Sequence, residues 1–184
     1  MTRQGIPAGD DPPRDVNALI EIPAGSSVKY EMDKSLGVLR VDRFLQGAMH
    51  YPANYGYIPS TLSEDGDPCD ILVVEAPPLV PGSLIRCRVI GVLLMTDEAG
   101  PDEKILAVPA DGLQPRTAPV RSVADLPPGC TDAILDFFTN YKRLEPGKWV
   151  KADGFLGTDE AEHLVAAAVA RFGAAQGAAG TVLP

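Results

Sequence analysis

Hydrophobic and polar residues alternate in short stretches through the first two thirds of the chain, and helical spacing appears only near its end. Val16 to Ile22 is mostly apolar and is closed by Pro23 and Gly25, which predicts a strand. Val28 to Met32 alternates, and a period of two puts Lys29 and Glu31 on one face and Tyr30 on the other. A turn around Ser35 and Gly37 then leads into Val38 to Arg43, completing a hairpin. Tyr51 to Pro59 is aromatic and turn-rich. Asp70 opens the apolar run Ile71 to Val74, which Pro77 and Pro78 stop. Ile85 to Met95 predicts a longer strand with a bend at Gly91; a turn over Thr96 to Pro101 and a short strand over Lys104 to Val108 follow. Pro109 to Pro128 has little periodicity and is expected as loop with one helical turn.

Two helices close the pattern. Thr131 is the expected N-cap of the first, whose apolar stripe is Ile134, Leu135, Phe138 and Tyr141. The second is expected from Asp159 to Phe172, with Ala161, Leu164, Val165, Ala168 and Phe172 facing inward and Asp159 and Glu160 suiting the positive end of the helix dipole. Residues 173–184 are Ala/Gly-rich without a cap and are expected to be a flexible tail. Many short strands followed by two helices predict a mainly β protein with flanking helices (α+β), its sheet closed into a barrel, in a single domain spanning residues 1–172.

Composition narrows the function. The 184 residues suit one core, and 18 prolines with 18 glycines favour short strands and turns over long helices. A formal net charge of −9 opposes binding to nucleic acid, which requires a positive field to displace counterions. Cys69, Cys87 and Cys130 are odd in number and scattered, so they suggest neither a disulfide framework nor a zinc site. Residues 1–15 lack the apolar core of a signal peptide, and the longest apolar runs are strand-sized, well short of a membrane span. The expected location is the cytoplasm.

The chemistry concentrates in Asp65-Gly66-Asp67-Pro68-Cys69-Asp70, where Gly66 and Pro68 hold a loop in one shape and three carboxylates converge before a strand. Two like charges about 4 Å apart repel by roughly 4 kcal/mol at an effective dielectric near 20. A fold that accepts several such pairs needs a cation there; the plain alternative is a solvated acidic turn. Thr96 to Lys104 is a second acidic loop between strands, and oxygen-only ligands suit Mg²⁺ or Mn²⁺. His50 and His163 stand in unrelated settings, and His163 belongs to a solvated helix face. Lys29, Arg43, Lys104 and Lys142 suit an anionic substrate, although each taken singly also reads as surface charge; Tyr51, Tyr55 and Tyr57 singly read as packing residues.

Taken in order, these blocks resemble the family I soluble inorganic pyrophosphatases of the bacterial type. The matching stretches are Ile20-Glu21-Ile22-Pro23, Lys29-Tyr30-Glu31, Val41-Asp42-Arg43-Phe44, Tyr51 to Ile58, Asp65 to Asp70, Met95-Thr96-Asp97-Glu98, Phe137 to Lys142 and Gly147 to Lys151. The resemblance implies an OB-like barrel, several Mg²⁺ ions and hydrolysis of pyrophosphate. It implies that Asp65, Asp70 and Asp102 share one metal, that Asp70 bridges to a second, and that Asp97, Asp102 and Glu31 serve metals arriving with substrate. Asp67 would be the general base and a further metal contact. Lys29, Arg43, Tyr55, Lys104, Tyr141 and Lys142 would hold the phosphates, with Glu21, Tyr51 and Glu98 in support. A homohexamer is the implied assembly. Asp136 and Asn140 stand where the family commonly has histidines on the helix before Tyr141, and with Arg143 they lie opposite the apolar stripe; Val108-Pro109-Ala110-Asp111 also departs, since the family usually has a histidine after the proline. A thiol beside Asp70 is a candidate for reaction, and a buried, inert Cys69 is the competing reading. Two other functions remain open to the residues: a metal-dependent hydrolase of another phosphoanhydride, and a non-catalytic OB-type module that binds divalent ions.

Overall fold

The computed structural model describes residues 5–33 and 35–179. Its main sheet contains β1 (Asp15–Ile22), β4 (Asn54–Tyr57), β5 (Asp70–Val73), β6 (Leu84–Asp97), β7 (Gly100–Pro101), β8 (Lys104–Pro109) and β9 (Val150–Leu156). The pairing path runs β1-β4-β5-β8-β6, and a further pairing of β6 with β1 returns it to its start, so five strands form a closed ring. This is the expected barrel. β5 and β8 pair in parallel, the other ring contacts are antiparallel, and β9 extends the sheet along the second half of β6. A separate two-stranded sheet, β2 (Val28–Asp33) with β3 (Val38–Phe44), is the expected hairpin.

The ring strands read as near-continuous apolar runs because both of their faces are buried. Successive residues go to opposite sides. Leu72, Leu106 and Val108 pack with Ile134, Phe137 and Phe138 of helix α1 (Cys130–Asn140). Ile71, Val73, Ile105 and Ala107 pack with Ala161, Val165 and Ala168 of helix α2 (Thr158–Ala179). The bend expected at Gly91 is a register shift between Val89 and Gly91. A side chain there would meet the Leu156 carbonyl at 2.7 Å and the Val123 side chain at 2.3 Å, so only glycine lets β9 and the 123–125 turn close on the strand.

Several local expectations change. The turn-rich aromatic segment contains strand β4, because Tyr55 and its neighbours find ring partners on both sides. Strand β9 carried no clear alternation and exists through its pairing with β6. The 109–128 stretch holds two 3₁₀ turns, Pro115–Thr117 and Val123–Asp125, instead of one. Helix α1 starts one residue before Thr131, with Gly129 at φ 82° as its N-cap. The second helix begins at Thr158 and runs past Phe172 to Ala179. Ala174, Ala175, Ala178 and Ala179 are strong helix formers and outweigh the missing cap. The expected break at residue 173 is therefore helical, and positions 180–184 of the expected tail lie outside the described residues.

Away from the site, Asp111 accepts from Arg88 and from Arg121 (3.3 Å), while Arg88 also donates to the carbonyls of Thr117 (2.9 Å) and Val120 (2.7 Å). Asp111 and Arg88 thus fasten the 3₁₀ segment to the barrel.

Candidate active site

The ring brings the ends of its strands to one side. The parallel register Ile71↔Ile105 sets Asp70 abreast of Lys104, and the hairpin Asp97–Gly100 returns the chain to Asp102. These residues line a cleft of about 960 Å³, closed on its far side by the β2–β3 hairpin. Glu21, Lys29, Glu31, Arg43, Tyr55, Asp65, Asp67, Asp70, Asp97, Glu98, Asp102, Lys104, Tyr141 and Lys142 all contribute to its wall. Tyr51 does not; it lies buried behind Tyr55, with ring centres 5.6 Å apart, and against Phe137 at 4.7 Å.

The carboxylates fall into two sets. Asp70 and Asp102 both accept from the Lys104 ammonium, which is 3% exposed and lies 5.7 Å from the Tyr55 ring centre. Burial disfavours that ammonium, yet the two carboxylates outweigh it and hold Lys104 charged to higher pH than usual. Asp97 accepts from Lys142 at 2.6 Å, and Glu98 lies 3.9 Å from the same nitrogen and accepts from Lys148. Burial works against the Asp97 carboxylate; Lys142 and the Ala99 N–H prevail and keep its pKa below the usual range.

Asp65 and Asp67 differ. Both are exposed, and their loop is tied by its own backbone: Asp67 N–H donates to Asp65 Oδ1 (2.9 Å), Ser63 N–H to the Asp67 carbonyl (2.7 Å) and Gly66 N–H to the Ser63 carbonyl (3.1 Å). Gly66 sits at φ 90°, which explains its place in the turn. The expected convergence of three carboxylates on one point is not reached: among the described residues no three acidic, histidine or cysteine groups stand together as a ready metal cage. What the fold supplies between Asp70 and Asp102 is a cation of its own, since paired carboxylates in a cleft require one. The donor set of the cleft is all oxygen and fits a hard divalent ion.

The cations and phenols form the rest of the wall. Lys29 pairs with Glu31 and lies 3.4 Å from Asp42; Arg43 reaches Asp42 at 2.8 Å and Glu145 at 2.9 Å. Glu145, Asp42 and Lys148 were not singled out from the sequence. Asp42 and Lys148 lay inside matched blocks, which was the available signal; Glu145 carried none. Burial, followed by the Asp70 and Asp102 charges, pushes the Tyr55 phenol well up, and burial and Asp102 do the same for Tyr141. Both phenols are held neutral as hydrogen-bond donors. Glu21 accepts from Met32 N–H at 2.7 Å; burial raises its pKa to about 7 despite that bond, with Asp70 and Glu31 adding to the rise. Cys69 is buried, burial raises its pKa, and Ser63 donates to its sulfur at 3.3 Å, which matches the inert reading.

The family model described as inorganic pyrophosphatase matches residues 18–173. An inorganic pyrophosphatase of Caulobacter vibrioides is 55% identical over 94% of this chain and 98% of its own length. One of Aquifex pyrophilus is 50% identical over 88% and 91%. Among solved structures, an inorganic pyrophosphatase of Thermus thermophilus superposes with a TM-score of 0.89 at 44% identity, covering 94% of this chain and 99% of that one. One of Coxiella burnetii gives 0.87 at 46% identity, covering 91% and 99%.

Proposed function

The chain belongs to the inorganic pyrophosphatase family and hydrolyses pyrophosphate to two phosphates, and from that premise we propose that it does so in the cleft described above, with magnesium as cofactor and Asp67 as general base. The observation that carries this reading is the meeting of Asp70 and Asp102, from two separate loops, at one cation in a wall that also presents Lys29, Arg43 and Lys142. Asp65, Asp70 and Asp102 would hold magnesium together, with Asp97, Glu31 and Asp67 as further oxygen donors; Mn²⁺ would fit the same donors. Bound magnesium would neutralise these carboxylates toward a polyanionic substrate and make the attacking water more acidic.

The remaining work falls to the side chains. Asp67 has solvent on its carboxylate and a fixed backbone, so it can take a proton from the water that attacks phosphorus. Lys29, Arg43 and Lys142 bind phosphoryl oxygens and stabilise the charge that develops as the bridging P–O bond breaks. Tyr55 and Tyr141, kept protonated by burial, donate to phosphoryl oxygens without adding charge. Lys104 binds on the same wall, and Glu21, Tyr51 and Glu98 hold neighbouring groups in place.

Phosphate release measured with pyrophosphate and Mg²⁺, with EDTA added, and with ATP as substrate tests the reading. Release should be fast only from pyrophosphate with metal. Undiminished release in EDTA would overturn the metal requirement, and equal release from ATP would overturn the substrate.

The assembly that fits this reading is a homohexamer in the cytoplasm. Among the described residues no helix is long and apolar enough to cross a membrane. On α1, Asn140 donates to Asp136 Oδ1 at 2.9 Å where histidines are usual, so assembly should not depend on pH near neutrality. Light scattering at mildly acidic and mildly alkaline pH should return the same six-chain mass, and a monomer at either would overturn it.

A further inference from the structure

The acidic loop hangs from a root that the carboxy-terminal helix grips at two points. Leu62 donates its N–H to the Ala168 carbonyl at 3.0 Å, and its own carbonyl accepts from Arg171 Nε at 2.8 Å. The adjoining Ser63 carries the bonds to Asp67 and Gly66 that shape the turn. Helix α2 is itself fixed to the barrel by Ala161, Val165 and Ala168, each fully buried. Phe172, next to Arg171, and Gln176, one turn further on, reach the wall of the same cleft as Asp65 and Asp67.

Glu64, Asp65, Gly66 and Asp67 are all exposed, so the loop is not packed into the core. Its root, bonded to α2 on both sides of Leu62, is where the fold reaches it. We propose that Arg171 is a positioning residue for the reaction: by holding the Leu62 carbonyl on α2 it fixes where the loop before β5 presents Asp65 and Asp67. A guanidinium suits this task, since it stays charged, and a charge-assisted bond to a carbonyl is stronger than a neutral one. A misplacement of about 1 Å at a reacting group costs on the order of 100-fold in rate, so a looser loop is read first in kcat. The inference rests on Asp67 acting as the base, and the experiment separates the two.

Arg171→Ala removes the packed stem as well as the donor, so Arg171→Met, which keeps an apolar stem, is the decisive variant, with Arg171→Lys to restore a donor. Initial rates across pyrophosphate concentration are measured alongside amide hydrogen exchange over residues 62–70 in the metal-free protein. Arg171→Met should lower kcat by about tenfold with KM within about twofold, and should speed exchange over 62–70 by about fivefold, as expected for one lost hydrogen bond. Arg171→Lys should recover most of both. Glu162→Gln, on the same helix as Arg171, removes the 3.5 Å contact with Arg14 and should change neither. Parental kcat and exchange in Arg171→Met, or equal losses in the Met and Lys variants, would overturn the proposal. Faster exchange in Arg171→Met together with undiminished turnover in Asp67→Asn would instead sink the assignment of the base and leave the grip on the loop standing.

Discussion

The two acidic regions of the cleft are held by opposite means. Asp70, Asp97 and Asp102 stand at strand ends and are gripped by buried or nearly buried ammonium groups, Lys104 and Lys142. Asp65 and Asp67 are exposed and held by backbone bonds within their own turn. The first set is expensive to assemble without cations, because burial penalises each charge and like charges repel. The second costs little, because water solvates it. A protein that presents both to one cleft keeps buried charges that its own lysines can support, beside exposed carboxylates on a turn.

Substitutions can break this contrast. The largest effect is expected at the exposed set: Asp67→Asn should lower kcat by about 10³-fold, within the range for a lost general base, while melting stays within about 3 °C of the parent because the site is exposed. A collapse of the fold in that variant would mean that Asp67 is a structural group. At the gripped set, Lys104→Met should destabilise the metal-free protein by about 3 kcal/mol, since it strands two carboxylates around a buried position. Urea unfolding measures this, and Mg²⁺ should stabilise the variant more than the parent.

Glu21 sharpens the comparison through pH. Its folded pKa of about 7 lies above the ordinary carboxyl value of 4.5, so the protonated form is favoured by folding. Its contribution is fully present below pH 4.5 and is lost as pH rises through about 7. Glu21→Gln keeps an acceptor for Met32 N–H and should be more stable than the parent in metal-free buffer at pH 8, by up to about 3 kcal/mol, with the difference vanishing near pH 4.5. Unfolding midpoints that track each other across this range would contradict the shift. The smallest effect belongs to Lys148→Ala: its pairing with Glu98 is solvent-exposed, and KM for pyrophosphate should move by less than about threefold.

Much of this protein was legible in its residues. Apolar runs bounded by Pro and Gly located β1, β5, β6 and β8, a period of two located β2, Gly91 marked the bend, and the Asp65–Asp70 turn declared its shape through Gly66 and Pro68. These are local matters, decided by backbone freedom and by which face a side chain takes. The carboxylates expected to act together were legible through their loops, but their partners were not: nothing in the order of residues says that Lys104 lies between Asp70 and Asp102, or that Glu145 meets Arg43. Strands β4 and β9 depended likewise on partners distant in the chain. Closure of the ring through β1 and β6 decides all of these, because only long-range pairing brings strand ends separated by dozens of residues to one side, where burial then dictates which charges must be matched.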